Sequence, residues 1–193
     1  VNDGRVENVG SSLGISQVSS TPWPAAARGE TAGADWSGLG ERLATQPSPP
    51  SLGAAADLCV SLARVREPRE FPGLLERAAD ILDAIGIIIW MPDGPAGSLR
   101  PAVAHGYTPI AITRMGNIAT DADNATALAF RSQTTEVVAA EGEAGGAVVA
   151  PLVTADGCSG VMAAELRQGI TPTDHARAVA TIIAAQLATL ISP

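Results

Sequence analysis

The chain has 193 residues, 46% of them hydrophobic but only 3% aromatic, so a sizeable core is available and must be built from Ala, Val, Leu and Ile. A net charge of -8 argues against a nucleic-acid or anionic-membrane surface, since both need a clustered positive field. The two cysteines, Cys59 and Cys158, have no CxxC spacing and no nearby His, which argues against structural zinc and for reduced thiols in a cytoplasmic setting.

No signal-peptide pattern opens the chain, and no apolar run reaches the about 18–20 residues needed to span a bilayer. Residues 1–50 read as a leader dominated by Gly, Ser, Ala and Pro, without lasting periodicity beyond a short strand-like run at Gly10–Ser20. Trp23 and Trp36 lie in this leader, either as incidental side chains or as pins onto the domain or a second copy. The folded part, residues 51–193, opens with a helix over Leu52–Arg66 whose apolar stripe is Ala55, Leu58, Leu62 and Val65. A second helix spans Pro72–Ile85 with the stripe Leu75, Ala78, Leu82 and Ile85, and Gly86 suits its C′ position.

Gly86–Met91 is a short, wholly apolar, β-branched run and reads as a buried strand. The Pro/Gly-rich loop 92–97 leads to a hairpin partner, Leu99–His105, in which Pro101 implies a position at or near a sheet edge. Thr108 and Pro109 are a good N-cap and N1 for a short helix over Pro109–Met115. Gly116–Asp123 is irregular or weakly extended. Asp123 or Asn124 caps a helix over Ala125–Ser132, with Leu128 on its inner side, and Thr134–Val138 is a short strand.

The stretch that organises the rest is Gly146–Leu166. Ala147–Thr154 and Cys158–Leu166 are apolar strands joined by Ala155-Asp156-Gly157, and Asp-Gly is a strong hairpin signal. Strands this apolar belong in the middle of a sheet covered on both faces. The last helix follows, with Thr171 as N-cap, Pro172 at N1 and the stripe Ala176, Val179, Ala180, Ile183, Leu187 and Leu190. The fold class is therefore α+β, with a central antiparallel sheet of five to six strands between helical layers.

This ordered set resembles a GAF domain. The matching pieces are Leu74–Gly86, Gly86–Trp90, Val103–Tyr107, Ala127–Val138, Pro151-Leu152, Asp156-Gly157, Gly160-Val161 and Thr171–Ile191, within about residues 55–191. The resemblance implies a small-molecule sensor or dimerisation module of a signalling protein, with its ligand between the sheet and the crossover helices. The N-K…F-x-x-x-D-E pattern of cyclic-nucleotide members is absent, since Phe130 is followed by Arg131, Ser132, Gln133 and Thr134. Residues 108–135 hold neither the Cys nor the D-I-P stretch of bilin-binding members.

Trp90, Tyr107, Met115 and Phe130 are almost all the large aromatic or soft side chains of the folded part. They read either as ordinary core or as the walls of an apolar pocket between the sheet and residues 107–130, with His105 as a further wall and Asn124 at the rim. Asp121, Asp123 and Asn124 read first as helix-capping residues and second as contacts for a cation or a ligand hydroxyl. His105 alone is a candidate haem ligand, which disfavours haem, and no cofactor is assigned. The expected ligand is small and largely uncharged. No catalytic or metal-binding residue is expected, and Cys59 and Cys158 are expected to stay unbridged. The first and last helices carry more apolar and Ala positions than one sheet face can cover, which predicts a homodimer through them. The leading function is a non-enzymatic sensor that signals through its terminal helices. A dimerisation-only domain comes second, and a thiol-dependent methionine sulfoxide reductase third.

Overall fold

The computed structural model describes residues 51–94, 97–141 and 144–191. The expectations for the leader, with its strand-like run, Trp23 and Trp36, fall outside these residues. The described elements are α1 (Leu52–Leu62), α2 (Phe71–Leu82), β1 (Ala84–Pro92), β2 (Ser98–His105), α3 (Pro109–Met115), β3 (Ile118–Ala119), α4 (Ala125–Ser132), β4 (Glu136–Val138), β5 (Gly145–Thr154), β6 (Gly157–Gln168) and α5 (Asp174–Ile191). The strands form one sheet in the order β3-β2-β1-β6-β5-β4, with every neighbouring pair antiparallel.

The β5–β6 hairpin lies inside the sheet, with β1 on one side and β4 on the other. Its alternate side chains feed two cores. Val148, Ala150, Leu152, Met162 and Ala164 join Ile87 and Ile89 beneath α1, α2 and α5. Ala147, Val149, Val161 and Ala163 join Ile88 and Trp90 beneath α3 and α4. Both faces are covered, which is why these strands are apolar along their whole length rather than at alternate positions.

Several local expectations are corrected. The α2 helix stops at Leu82 because Asp83 turns left-handed (φ 51°) and donates its N–H back to Ala79 and Asp80, so Gly86 is not the cap but a residue of β1. Ile85 is the bulged residue between the Ala84–Leu166 and Gly86–Glu165 pairs, and it is 42% exposed rather than part of the helix stripe. The α1 helix ends at Leu62, four residues early, capped at Ala63. The α5 helix begins at Asp174, with Thr173 Oγ1 accepting the Ala176 N–H, while Thr171 instead accepts the N–H of Ala140. On α4 the buried residues are Thr126, Ala127 and Ala129; Leu128 points outward and is 43% exposed. Within Gly116–Asp123, Ile118–Ala119 pairs with Ser98–Leu99 as a sixth strand.

Candidate functional site

The corner that joins β2 to α3 is built from two glycines and one tyrosine. Gly106 has φ +82°, and a Cβ there would lie 2.2 Å from the carbonyl oxygen of Ile85, so only glycine fits against the β1 backbone. The next residue, Tyr107, folds back across β1. Its ring covers Gly86 so closely that a Cβ on Gly86 would sit 2.4 Å from Cε2. The hydroxyl donates to Oε2 of Glu165 at 2.8 Å. Glu165 is the partner of Gly86 across the β1–β6 ladder, so all three groups stack on the face that α3 and α4 cover.

Burial dominates the electrostatics of this pair. It pushes the Tyr107 hydroxyl well above its ordinary value of 10.0, and the Glu165 charge and hydrogen bond add to the effect. Burial also raises the Glu165 carboxyl above 4.5, against the opposing hydrogen bond from Tyr107. At neutral pH the tyrosine is therefore a firm proton donor to its partner.

Beside Tyr107 lies an open groove of about 360 Å³, walled by Pro101, Ala102, Val103 and Ala104 of β2 and by Pro109, Ile112 and Thr113 of α3. Its existence follows from the short β3, which pairs only with Ser98 and Leu99 and, among the described residues, leaves Arg100–His105 of β2 without an outer strand. The β2 strand also carries a bulge. Ile89 faces Val103 and Trp90 faces Pro101, so Ala102 is an extra residue. The bulge shifts the alternation: Leu99 and Ala104 pack with the α3/α4 core, while Val103 packs with the opposite core.

Of the six residues expected around a pocket, Tyr107 alone lines this groove. Trp90 and Met115 are buried in the α3/α4 core, where Tyr107 and Phe130 pack partly buried against them. Trp90 Nε1 is buried without a hydrogen-bond partner, the one such side-chain atom among the described residues. Asn124 is the N-cap of α4, its Oδ1 accepting the Ala127 N–H at 2.9 Å. His105 sits directly across from Ile87 and so shares the other face of the sheet. Sequence reasoning missed Glu165, although a single carboxylate within the apolar run Val161–Leu166 signals a buried partner. It also missed the groove walls on β2 and α3, because small apolar residues carry no chemical signature.

Cys59 and Cys158 are both free thiols. Burial raises both above 9.0, although Cys158 also has backbone hydrogen bonds that oppose the shift. Among the described residues no group of three or more His, Cys, Asp or Glu is placed to hold a metal ion, and no helix is long and apolar enough to cross a membrane.

No protein-family model matches the chain, and no curated protein matches it significantly. Its fold, however, is that of a GAF domain. It is similar to the GAF domain of an Acinetobacter phosphoenolpyruvate-protein phosphotransferase, with a TM-score of 0.61, 12% identity, and 72% of this chain and 91% of that one covered. The second GAF domain of DevS from Mycobacterium smegmatis is similar with a TM-score of 0.54, 25% identity, and coverages of 63% and 90%. The free methionine-R-sulfoxide reductase of Neisseria meningitidis, solved with its substrate, shares the fold with a TM-score of 0.55, 13% identity, and coverages of 71% and 88%. One architecture thus serves both GAF domains of larger proteins and a reductase.

Proposed function

We propose that this chain is a non-enzymatic GAF-fold sensor domain of a signal-transduction protein. It binds a small molecule in the groove between β2 and α3 and transmits occupancy through its terminal helices. The observation that carries this reading is the groove itself: about 360 Å³, mostly apolar, with the Tyr107 ring at its wall. That volume falls within the range of about 300–1,000 Å³ typical of small-molecule sites. Ligand contact on Tyr107 bears on Glu165 in β6, and β6 runs into α5, so occupancy biases the packing of the last helix. The reductase reading is disfavoured because raised thiol values leave little thiolate, the form that does the chemistry.

The test is a thermal-shift and amide-NMR screen of metabolites against the full chain. A true ligand moves the amide signals of residues 101–113, and Thr113→Trp, which fills the groove from an exposed position, abolishes its effect. Hits that map elsewhere, or that survive Thr113→Trp, overturn the groove as the sensing site.

The dimerisation reading rests on a separate observation. Leu52 (58% exposed), Ala56 and Val60 (49%) lie at spacings of four on α1, and Ala178, Ile182 (48%) and Ala185 form an exposed apolar row on α5. The two helices pack against each other in the α1/α2/α5 core, so their outer rows offer one surface to a second copy. Light scattering at about 100 μM is expected to give a dimer mass, since an interface of standard size holds at that concentration. A monomer mass there defeats it.

A further inference from the structure

We infer that the ligand of the β2–α3 groove is a small, uncharged, mostly apolar molecule carrying one strong hydrogen-bond acceptor, such as a carbonyl oxygen, which it places on Nε1 of Trp90. This deepens the sensor reading and rests on it.

The starting observation is the orphan indole nitrogen. Trp90 is 1% exposed and its N–H has no partner. Buried donors in native proteins are nearly always paired, and a Trp in a core normally finds an acceptor for its nitrogen. A phenylalanine at position 90 would supply an aromatic ring with no donor to satisfy. The indole therefore presents a hydrogen-bonding capacity that the folded chain leaves unused.

Its place in the fold connects it to the groove. Trp90 lies directly across from Pro101, a groove wall. The α3 helix provides the opposite wall through Pro109, Ile112 and Thr113, and it also contributes Met115 to the core around the indole. The nitrogen has no exposed surface, so a ligand reaches it only when α3 shifts. That helix is seven residues long; its N-terminal side is held by Gly106 against β1 and by the Tyr107–Glu165 hydrogen bond, so the end free to shift is the C-terminal one, where Gly116 (φ +64°) tolerates a change of backbone conformation. Met115, an unbranched and adaptable side chain, is the inner plug that such a movement withdraws.

The chemistry of the surroundings sets the ligand class. Among the described residues Thr126 is the one buried polar or charged residue and no Arg is buried, so an anionic acceptor beside Trp90 would be buried without a counter-charge. Arg100 and Arg114, adjacent in sequence to groove walls, are exposed, where an ion pair adds little. A neutral oxygen meets the indole N–H without that penalty, and apart from Tyr107 and Thr113 the groove walls are Pro, Ala, Val and Ile.

The experiment uses the full chain with ¹⁵N-labelled tryptophan and two matched ligand pairs, indane with indanone and tetralin with tetralone. Trp90→Phe assigns the Trp90 indole signal. If that variant does not fold, the double variant Trp23→Phe/Trp36→Phe, altered only outside residues 51–191, assigns it instead. The ketones are expected to move the Trp90 indole proton downfield and to bind about tenfold more tightly than the hydrocarbons, the upper range for one neutral hydrogen bond. If ketone and hydrocarbon perturb the amides of residues 101–113 equally and the indole proton stays in place, the acceptor assignment is wrong while the groove still binds. If neither class perturbs those amides, the sensor reading falls with it.

Discussion

Replacing Gly86 by Ala tests the corner most directly, because the backbone of Gly86 is not in the left-handed region and the whole effect is steric. The added methyl would lie 2.4 Å from Cε2, 2.6 Å from Cζ and 2.9 Å from the hydroxyl oxygen of Tyr107. The ring cannot stay, and with it goes the 2.8 Å hydrogen bond to Glu165. Loss of a hydrogen bond to a charged, half-buried group costs about 1.5–3 kcal/mol. Forced displacement of a packed side chain adds about 1–3 kcal/mol, and exchanging a strand glycine for alanine returns about 0.5–1 kcal/mol. The net expectation is a loss of about 3 kcal/mol. In a Tyr107→Ala background the obstacle is gone, so Gly86→Ala should then be neutral or slightly stabilising. Urea denaturation of the four members of this cycle gives the coupling energy. A Gly86→Ala loss below about 1 kcal/mol, or the same loss in both backgrounds, refutes the close packing of Tyr107 on β1.

Gly106→Ala should cost at least as much as Gly86→Ala and should not be rescued by Tyr107→Ala, because its obstacles are the Ile85 carbonyl and the Gly86 backbone rather than a side chain; the same urea series reads this. The Glu165 carboxyl, raised in the folded state, favours the fold at pH below its unfolded value of about 4.5, and that contribution is lost as pH rises through the raised value; Glu165→Gln should remove this slope from a plot of stability against pH. Above pH 10 the unfolded chain ionises its tyrosine first while folded Tyr107 keeps its proton, so stability should fall with rising pH, and Tyr107→Phe should flatten that limb in alkaline urea titrations. Asn124→Ala removes the acceptor for the Ala127 N–H and should lower stability by about 1 kcal/mol without moving the amide signals of residues 101–113.

Much of the fold was legible because long apolar periodicity decides it. The β5–β6 hairpin, the α5 stripe, the Thr108 cap and the near-edge position of β2 all follow from strong local patterns, while the sequence leaves Asp123 and Asn124 as alternatives for the α4 cap and the structure places Asn124 there. The differences have separate causes. Asp83 takes a left-handed conformation that glycine would more often supply, so Gly86 drew a role it does not have. The two-residue strand β3 is too short to carry any periodicity, and its pairing with Ser98 and Leu99 is decided by tertiary contact. Hydrophobicity alone points Leu128 inward, yet the fully buried residues of α4 are Thr126, Ala127 and Ala129, and Leu128 faces out. The candidate site was legible at Tyr107 and not beyond it. A groove lined by proline and small apolar residues depends on where a neighbouring strand ends. The side of the sheet on which His105 lies depends on one extra residue at Ala102, and neither appears as a local pattern.

The unpaired stretch of β2 also bears on how the chain behaves among copies of itself. An open strand edge is a template for stacking, and among the described residues no strand covers β2 from Arg100 to His105. Two features spoil the template. Pro101 has no N–H to offer an incoming strand, and the extra residue at Ala102 breaks the even spacing that a second ladder would require. Two residues that wall the groove thus also guard the sheet against runaway polymerisation, so a mutation that straightened β2 would trade a recognition surface for an aggregation seed.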